Sequence, residues 1–175
     1  MVQDAVDNVG ADIRAMIADG SDVWVASDAG LYRYNPKDDV SRHWNTDDGA
    51  PTLDMTSLAR GTGGNTLWIG STSGLIRFVL GTPARWTSYG TSEGLSSNTV
   101  NAVAVASTVI KGVARDVIWV ATDAGVSRFD PTIPSFTTLT TADGLPSDTV
   151  HDIVVLADGT KVFATAAGVA HYDGP

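Results

Sequence analysis

With 175 residues, 43% of them hydrophobic, the chain can bury the core of one domain or of a few repeat units and is not disordered by composition. The absence of cysteine excludes disulfides, thiolate metal centres and cysteine nucleophiles. A formal net charge of -9 sets the chain against phosphate backbones and acidic lipid surfaces, and no apolar run approaches the ~18 residues of a bilayer span, so neither nucleic-acid binding nor membrane insertion by this segment is expected.

The acid is nearly all Asp, with Glu93 the single Glu, and there are only three lysines. Surface helices are built on Glu and Lys, whereas the short Asp side chain bonds to nearby backbone and favours turns. Together with 18 Gly and many Val and Thr, this predicts strands joined by tight turns.

At the N-terminus, "VQDAVDNVG" after Met1 has neither a basic n-region nor an apolar h-region and does not read as a secretory signal. A first strand is predicted around Ile13 and Met16. The Asp-Gly turn of "ADGSD" leads to a second, "VWVAS", and Gly30 turns the chain into a third, "LYRY". "NPKDD" leads to a fourth, "SRHWNT", which ends at "DDGAP". The order recurs around Met55 and Leu58, "LWIGS", "LIRF" and "RWTSYGT", ending at "SEGLS". It recurs again around Val100 and Val103, "IWVAT", "VSRF" and "SFTTLTT", ending at "ADGLP". A last unit holds Val150 and Ile153, "VFAT" and "VAHY", with no fourth strand after it.

Trp24, Trp68 and Trp119 mark the second strands at spacings of 44 and 51 residues, and Phe163 takes the fourth place 44 further on. Gly49, Gly94 and Gly144 keep an independent rhythm of 45 and 50. The insertion "ASTVIKGVARD", 106–116, explains the longer interval in both series. Two markers with one period identify a structural repeat. Four antiparallel strands in about 45 residues make the blade of a β-propeller, whereas a two-sheet sandwich would not require near-identical phrases. The expected fold is all-β, a single domain over 1–175 with blades at approximately 10–51, 52–96, 97–146 and 147–175, the last lacking its outer strand.

The stretches "GLSSNTVNAVAVA", "DVIWVATDAGVSRFDP" and "GLPSDTVHDIVVLADGTKVFATAAGVAHYD" resemble the two-component regulator propeller repeat. The resemblance runs over residues 10 to 174 and is most specific in units two and three, weaker where unit one has "DGAP" and unit four has Phe163. It implies blades of a seven- or eight-bladed ring, a sensory role ahead of a membrane-bound histidine kinase or in secreted relatives, and an extracytoplasmic location. Four copies of strands one to three fall short of that blade count. Three outcomes stay open: closure as four blades with "MVQDAV" as the missing strand beside Val169 to Tyr172, an eight-bladed homodimer, or a piece of a longer propeller. The homodimer is the favoured partner reading.

Antiparallel alternation gathers the turns after strand two and the connections after strand four at one end of the blades. Asp28, Ser73 and Asp123 fall there, with Asp48, Glu93 and Asp143. Arg14, Thr56, Asn101 and His151 hold equivalent places just inside the first strands and differ from unit to unit while the framework repeats. Arg14, Thr56, Asn101, His151, Asp28 and Asp123 are therefore the candidate ligand-binding set, at the mouth of a central channel, for a small molecule, glycan or peptide. Plainer roles compete with this. Asp before Gly ordinarily caps its own turn. The tryptophans of the phrase suit an inter-blade core, and Trp44 a half-buried packing role. Arg33, Arg77 and Arg128 are expected to pair with a neighbouring blade's carboxylate or cover its aromatic residue.

No HExxH, no histidine pair at metal spacing and no G-x-S-x-G occurs. "GTGGNT" joins two strands and opens no helix, so it is no phosphate loop. "DGSD" and "DGTK" lack the spacing of a full Ca²⁺ loop, which leaves weak Ca²⁺ binding at an acidic mouth as the one metal expectation, with no cofactor. The expected function is a non-catalytic binding or sensory propeller module that assembles into a ring. The alternatives are a purely structural unit whose partner is another copy, and an enzyme like the streptogramin-lyase propellers.

Overall fold

The protein's structure, a computed structural model, describes residues 12–110 and 113–174. Four antiparallel sheets follow one another along the chain, each hydrogen-bonded in chain order. Blade one comprises β1 (Ile13–Asp19), β2 (Asp22–Ser27), β3 (Gly30–Asn35) and β4 (Val40–Trp44), and blade two β5 (Met55–Arg60), β6 (Thr66–Ser71), β7 (Gly74–Val79) and β8 (Arg85–Tyr89). Blade three comprises β9 (Val100–Ile110), β10 (Val113–Thr122), β11 (Gly125–Asp130) and β12 (Ser135–Leu139), and blade four only β13 (Val150–Val155), β14 (Lys161–Thr165) and β15 (Gly168–Tyr172). β1 packs on β5, β5 on β9 and β9 on β13, so the first strand of each sheet is its inner strand. This is the architecture of β-propeller blades. "MVQDAV" lies outside the described residues. No helix among the described residues is long and apolar enough to cross a membrane.

The recurring Ser or Thr of the phrase closes the second hairpin. Ser71 and Thr122 Oγ donate to the carbonyls of Gly74 and Gly125 at 2.7 and 2.9 Å and accept the N–H groups of Ser73 and Ala124. Ser27 and Thr165 do the same in blades one and four. The glycine is obligatory where an outer strand follows. Gly30, Gly74 and Gly125 have φ of 113–121°, and a Cβ there would strike the carbonyl of Trp44, Tyr89 or Leu139.

The acidic residues before Gly49, Gly94 and Gly144 cap single 3₁₀ turns, as Asp in that place ordinarily does. Asp48, Glu93 and Asp143 accept the backbone N–H of Asn45, Gly90 and Thr140 at 3.2, 2.7 and 2.9 Å. The insertion of unit three lengthens the inner hairpin, with β9 and β10 paired out to Ile110 and Val113. On its way Asp116 accepts the N–H and hydroxyl of Thr62 at 3.0 and 2.7 Å, fastening the "GTGGNT" turn of blade two.

The core lies between blades. Trp24, Leu31 and Trp44 pack on Leu58, Ile69 and Phe78 of blade two. Trp68 and Leu75 pack on Val103, Val120 and Phe129 of blade three, and Trp119 and Val126 on Ile153 and Phe163 of blade four. Each tryptophan meets an aromatic ring on the third strand of the next blade, with centroids 5.3–5.8 Å apart at Phe78, Phe129 and Tyr172. Trp44 is fully buried rather than half-buried, because it stacks on Trp24 at 5.4 Å while Phe78 closes over it.

Two expectations are corrected by the register. Phe163 pairs with Ile153 as Ile69 pairs with Leu58, so it stands in the place of Val25, Ile69 and Val120. The tryptophan place in blade four belongs to Val162, and its cross-strand partner is His171 where Arg33, Arg77 and Arg128 stand in the other blades. The arginines also act within their own blade. Arg33 and Arg77 lie over their own cross-strand tryptophans at 5.4 and 5.8 Å, and Arg33 pairs with Asp22 of the same sheet. Antiparallel pairing puts the two side chains on one face, so each guanidinium is held over the tryptophan of its own sheet, and Arg128 stands beside Lys161 of blade four as well.

Candidate functional site

Arg14, Thr56, Asn101 and His151 are the extra residues of four β-bulges. In each inner strand the register skips one residue, between Ile13 and Ala15, Met55 and Ser57, Val100 and Ala102, and Val150 and Asp152. A bulge turns its side chain out of the ladder alternation, and here it turns it along the row of inner strands. Thr56 Oγ1 donates to the carbonyl of Val100, the first residue of the next inner strand, at 2.6 Å. Asn101 Nδ2 donates to the carbonyl of Val150 at 2.8 Å and to Asp123 Oδ1 at 2.9 Å. Arg14 reaches Asp54 beside the start of β5 and holds Asp12 at 3.0 Å. His151 is exposed, and among the described residues it makes no hydrogen bond.

Asp28 and Asp123 differ in their surroundings. Asp28 accepts the N–H of Asp12 at 3.2 Å and gives its own N–H to the Asp12 carbonyl, which closes the end of the first hairpin. Asp123 serves Asn101 of its own blade. The Thr72 hydroxyl at 2.9 Å, and after it the Arg14 guanidinium, hold the Asp54 carboxyl below the ordinary carboxylate range. The end therefore carries a basic centre wrapped in carboxylates at blade one, neutral donors at blades two and three, and an exposed imidazole at blade four. Among the described residues no three His or acidic side chains converge as a metal ligand set. The side chains differ, yet three of the four tie one blade to the next.

A second polar feature lies at the opposite end of the blades. Lys161 stands at the repeat position held by Val23, Leu67 and Ile118, and it is only 6% exposed. Its Nζ donates to the Gly174 carbonyl at 2.6 Å and stands over the rings of Trp119 and Tyr172. Burial, and then Arg128, lower the pKa of this ammonium. A cation at a position otherwise apolar in every unit was the signal available in the sequence, and the one-residue misalignment of Phe163 hid it.

No protein-family model matches the chain, and no curated protein matches it in sequence. Solved structures do match. The extracellular domain of a hybrid two-component system of B. thetaiotaomicron superposes on 91% of the chain with a TM-score of 0.72 at 19% identity. The β-propeller domain of Cps50 (Swd1) from Myceliophteria thermophila covers 93% at TM-score 0.62 and 10% identity, and a streptogramin B lyase covers 93% at 0.61 and 12%. The fold is that of β-propeller blades. The chain spans 21% of the first of these proteins and 54% and 55% of the other two.

Proposed function

We propose that this chain is a non-catalytic binding module of the two-component-regulator type, working outside the cytoplasm as part of a larger propeller. The observation that carries the reading is the set of bulges. The framework repeats while Arg14, Thr56, Asn101 and His151 present four different chemistries at one end of the inner strands. The likeness to the extracellular domain of a two-component system supports it through the fold. A thermal-shift screen against glycans, peptides, small metabolites and Ca²⁺ tests it. Stabilisation by one class, reduced by Arg14→Ala or His151→Ala, is the expected result. No response to any class counts against a binding role, and turnover of a substrate that His151→Ala abolishes replaces it with an enzyme.

A specific observation favours self-assembly as a second reading. Blades one and four leave apolar side chains in water, Ile13 and Met16 on β1 and Val154 and Val169 on β13 and β15. Every internal blade covers those faces with a neighbour, so a second copy docked head to tail supplies the missing contacts. Light scattering distinguishes the readings: a dimer mass that persists on dilution supports assembly, and a monomer mass removes it.

A further inference from the structure

A cavity of about 410 Å³ opens between blades three and four, at the end of the sheets away from the bulges. Ala106, Val117, Gly159, Trp119, Arg128 and Lys161 line it. The repeat shows what belongs there. In blade one the place of Ala106 is held by Asp19 and that of Val117 by Asp22. Asp19 accepts the indole N–H of Trp24 at 3.0 Å and pairs with Arg60 of blade two, while Asp22 pairs with Arg33. At the next junction the place is Gly61, and Asp116 from the lengthened hairpin fills it: its Oδ2 lies 2.9 Å from where a Cβ on Gly61 would stand. The residue of blade four corresponding to Asp116 is Gly159, which has no side chain. All three positions that carry carboxylates at the other junctions are thus Ala, Val and Gly here.

The donors remain. Trp119 is 1% exposed, and both its Nε1–H and the Nε–H of Arg128 are buried without a hydrogen-bond partner among the described residues, as are Trp68 Nε1 and Arg77 Nε at the second junction, so the buried Lys161 beside an open cavity is what sets the third junction apart. Lys161, absent from the other junctions, adds a buried ammonium with no carboxylate within 4 Å among the described residues. Burying a cation whose one hydrogen bond is to a carbonyl, with no counter-charge, beside two N–H donors without partners is costly, and an anion offsets this. The rim acids make no ion pair within 4 Å with them among the described residues: Asp130 bonds the N–H and hydroxyl of Thr132 and feels Arg128 only through space, Asp158 bonds the N–H of Thr160, and the exposed Asp173 acts on Lys161 by charge alone.

We infer that this cavity is a binding site for a small carboxylic acid, whose carboxylate takes the place that Asp19 fills between blades one and two and whose body lies in the space beside Trp119. The volume suits a small metabolite. The site is separate from the bulge end and does not depend on the reading given for it.

Titration with acetate, succinate and benzoate, followed by the indole N–H resonances in a ¹H–¹⁵N spectrum, tests the assignment. The Trp119 signal is expected to move saturably with at least one of them below about 100 mM, while Trp24, already served by Asp19, stays still. Lys161→Leu, which restores the apolar residue of the other blades, is expected to weaken binding by about tenfold or more. Ala106→Asp supplies the carboxylate from the chain itself and is expected to abolish binding while raising the melting temperature. The proposal is overturned if the Trp119 indole ignores all three acids, if both variants bind as the parent does, or if phosphate and sulfate shift it as strongly as the carboxylates.

Discussion

The glycines of the second hairpins show how one repeat position carries different constraints in different blades. Gly74 has φ +121° and faces the carbonyl of Tyr89, so an added methyl group meets backbone as well as the left-handed penalty. Gly168 has φ +134° but open space around it, because blade four has no fourth strand. Gly168→Ala is expected to cost about 1–2 kcal/mol in urea unfolding, from backbone strain alone. Gly74→Ala should cost clearly more and loosen β8. Equal costs would show that the outer strand is not held against the hairpin. The sequence made the glycine recurrence plain, but nothing in "TSGL" against "AAGV" says which glycine has a strand beside it.

At the scale of the element, the bulges do the connecting. Asn101 bridges Asp123 of its own blade and the Val150 carbonyl of the next with a single amide. Asn101→Ala is expected to cost about 1–2 kcal/mol and to speed amide exchange at the start of β13 more than in β9. Exchange that changes only within blade three would mean that the amide serves its own sheet alone. The strands themselves were legible from alternation and turn residues, and the capping acids from Asp before Gly. The bulges were not, because a one-residue slip leaves the alternation on both sides intact. Phe163 was misplaced separately, by one residue: counting back six from Gly168, as from Gly30, Gly74 and Gly125 to their tryptophans, gives Val162 at the tryptophan place, and cross-strand pairing agrees.

For the molecule as a whole, acid is the expected weakness. Asp54, Glu93, Asp130 and Asp158 are all held below their ordinary values, of 3.8 for Asp and 4.5 for Glu, chiefly by a Thr hydroxyl at Asp54 and Asp130 and by backbone N–H groups at Glu93 and Asp158. Such groups contribute stability that is fully present above the ordinary value and is lost as pH falls through the lowered one. The urea midpoint should therefore hold between about pH 7 and 5 and fall below about 4.5, with each group contributing little because Glu93 and Asp158 are exposed, Asp54 and Asp130 only half-buried, and all are screened by salt. A midpoint that rises on acidification would contradict these hydrogen bonds. Association is decided at the same scale. Val169 is 71% exposed on a strand whose counterparts Leu31, Leu75 and Val126 are fully buried. If a second copy covers it, Val169→Glu should reduce a dimer mass to that of the monomer without lowering the melting temperature of the single chain.

By itself the sequence determined the repeat, its period, the strand-and-turn grammar of each unit and the residues that cap the turns. All of these follow from interactions within a few residues or across one hairpin. Only the tertiary structure decided which aromatic meets which ring, that the four variable residues are bulges tying blade to blade, and that a cavity with a buried ammonium opens at the third junction. Those features arise where side chains some 50 residues apart come into contact, as Asn101 and Val150 do. An empty place shows itself only when the neighbouring blade is set against it.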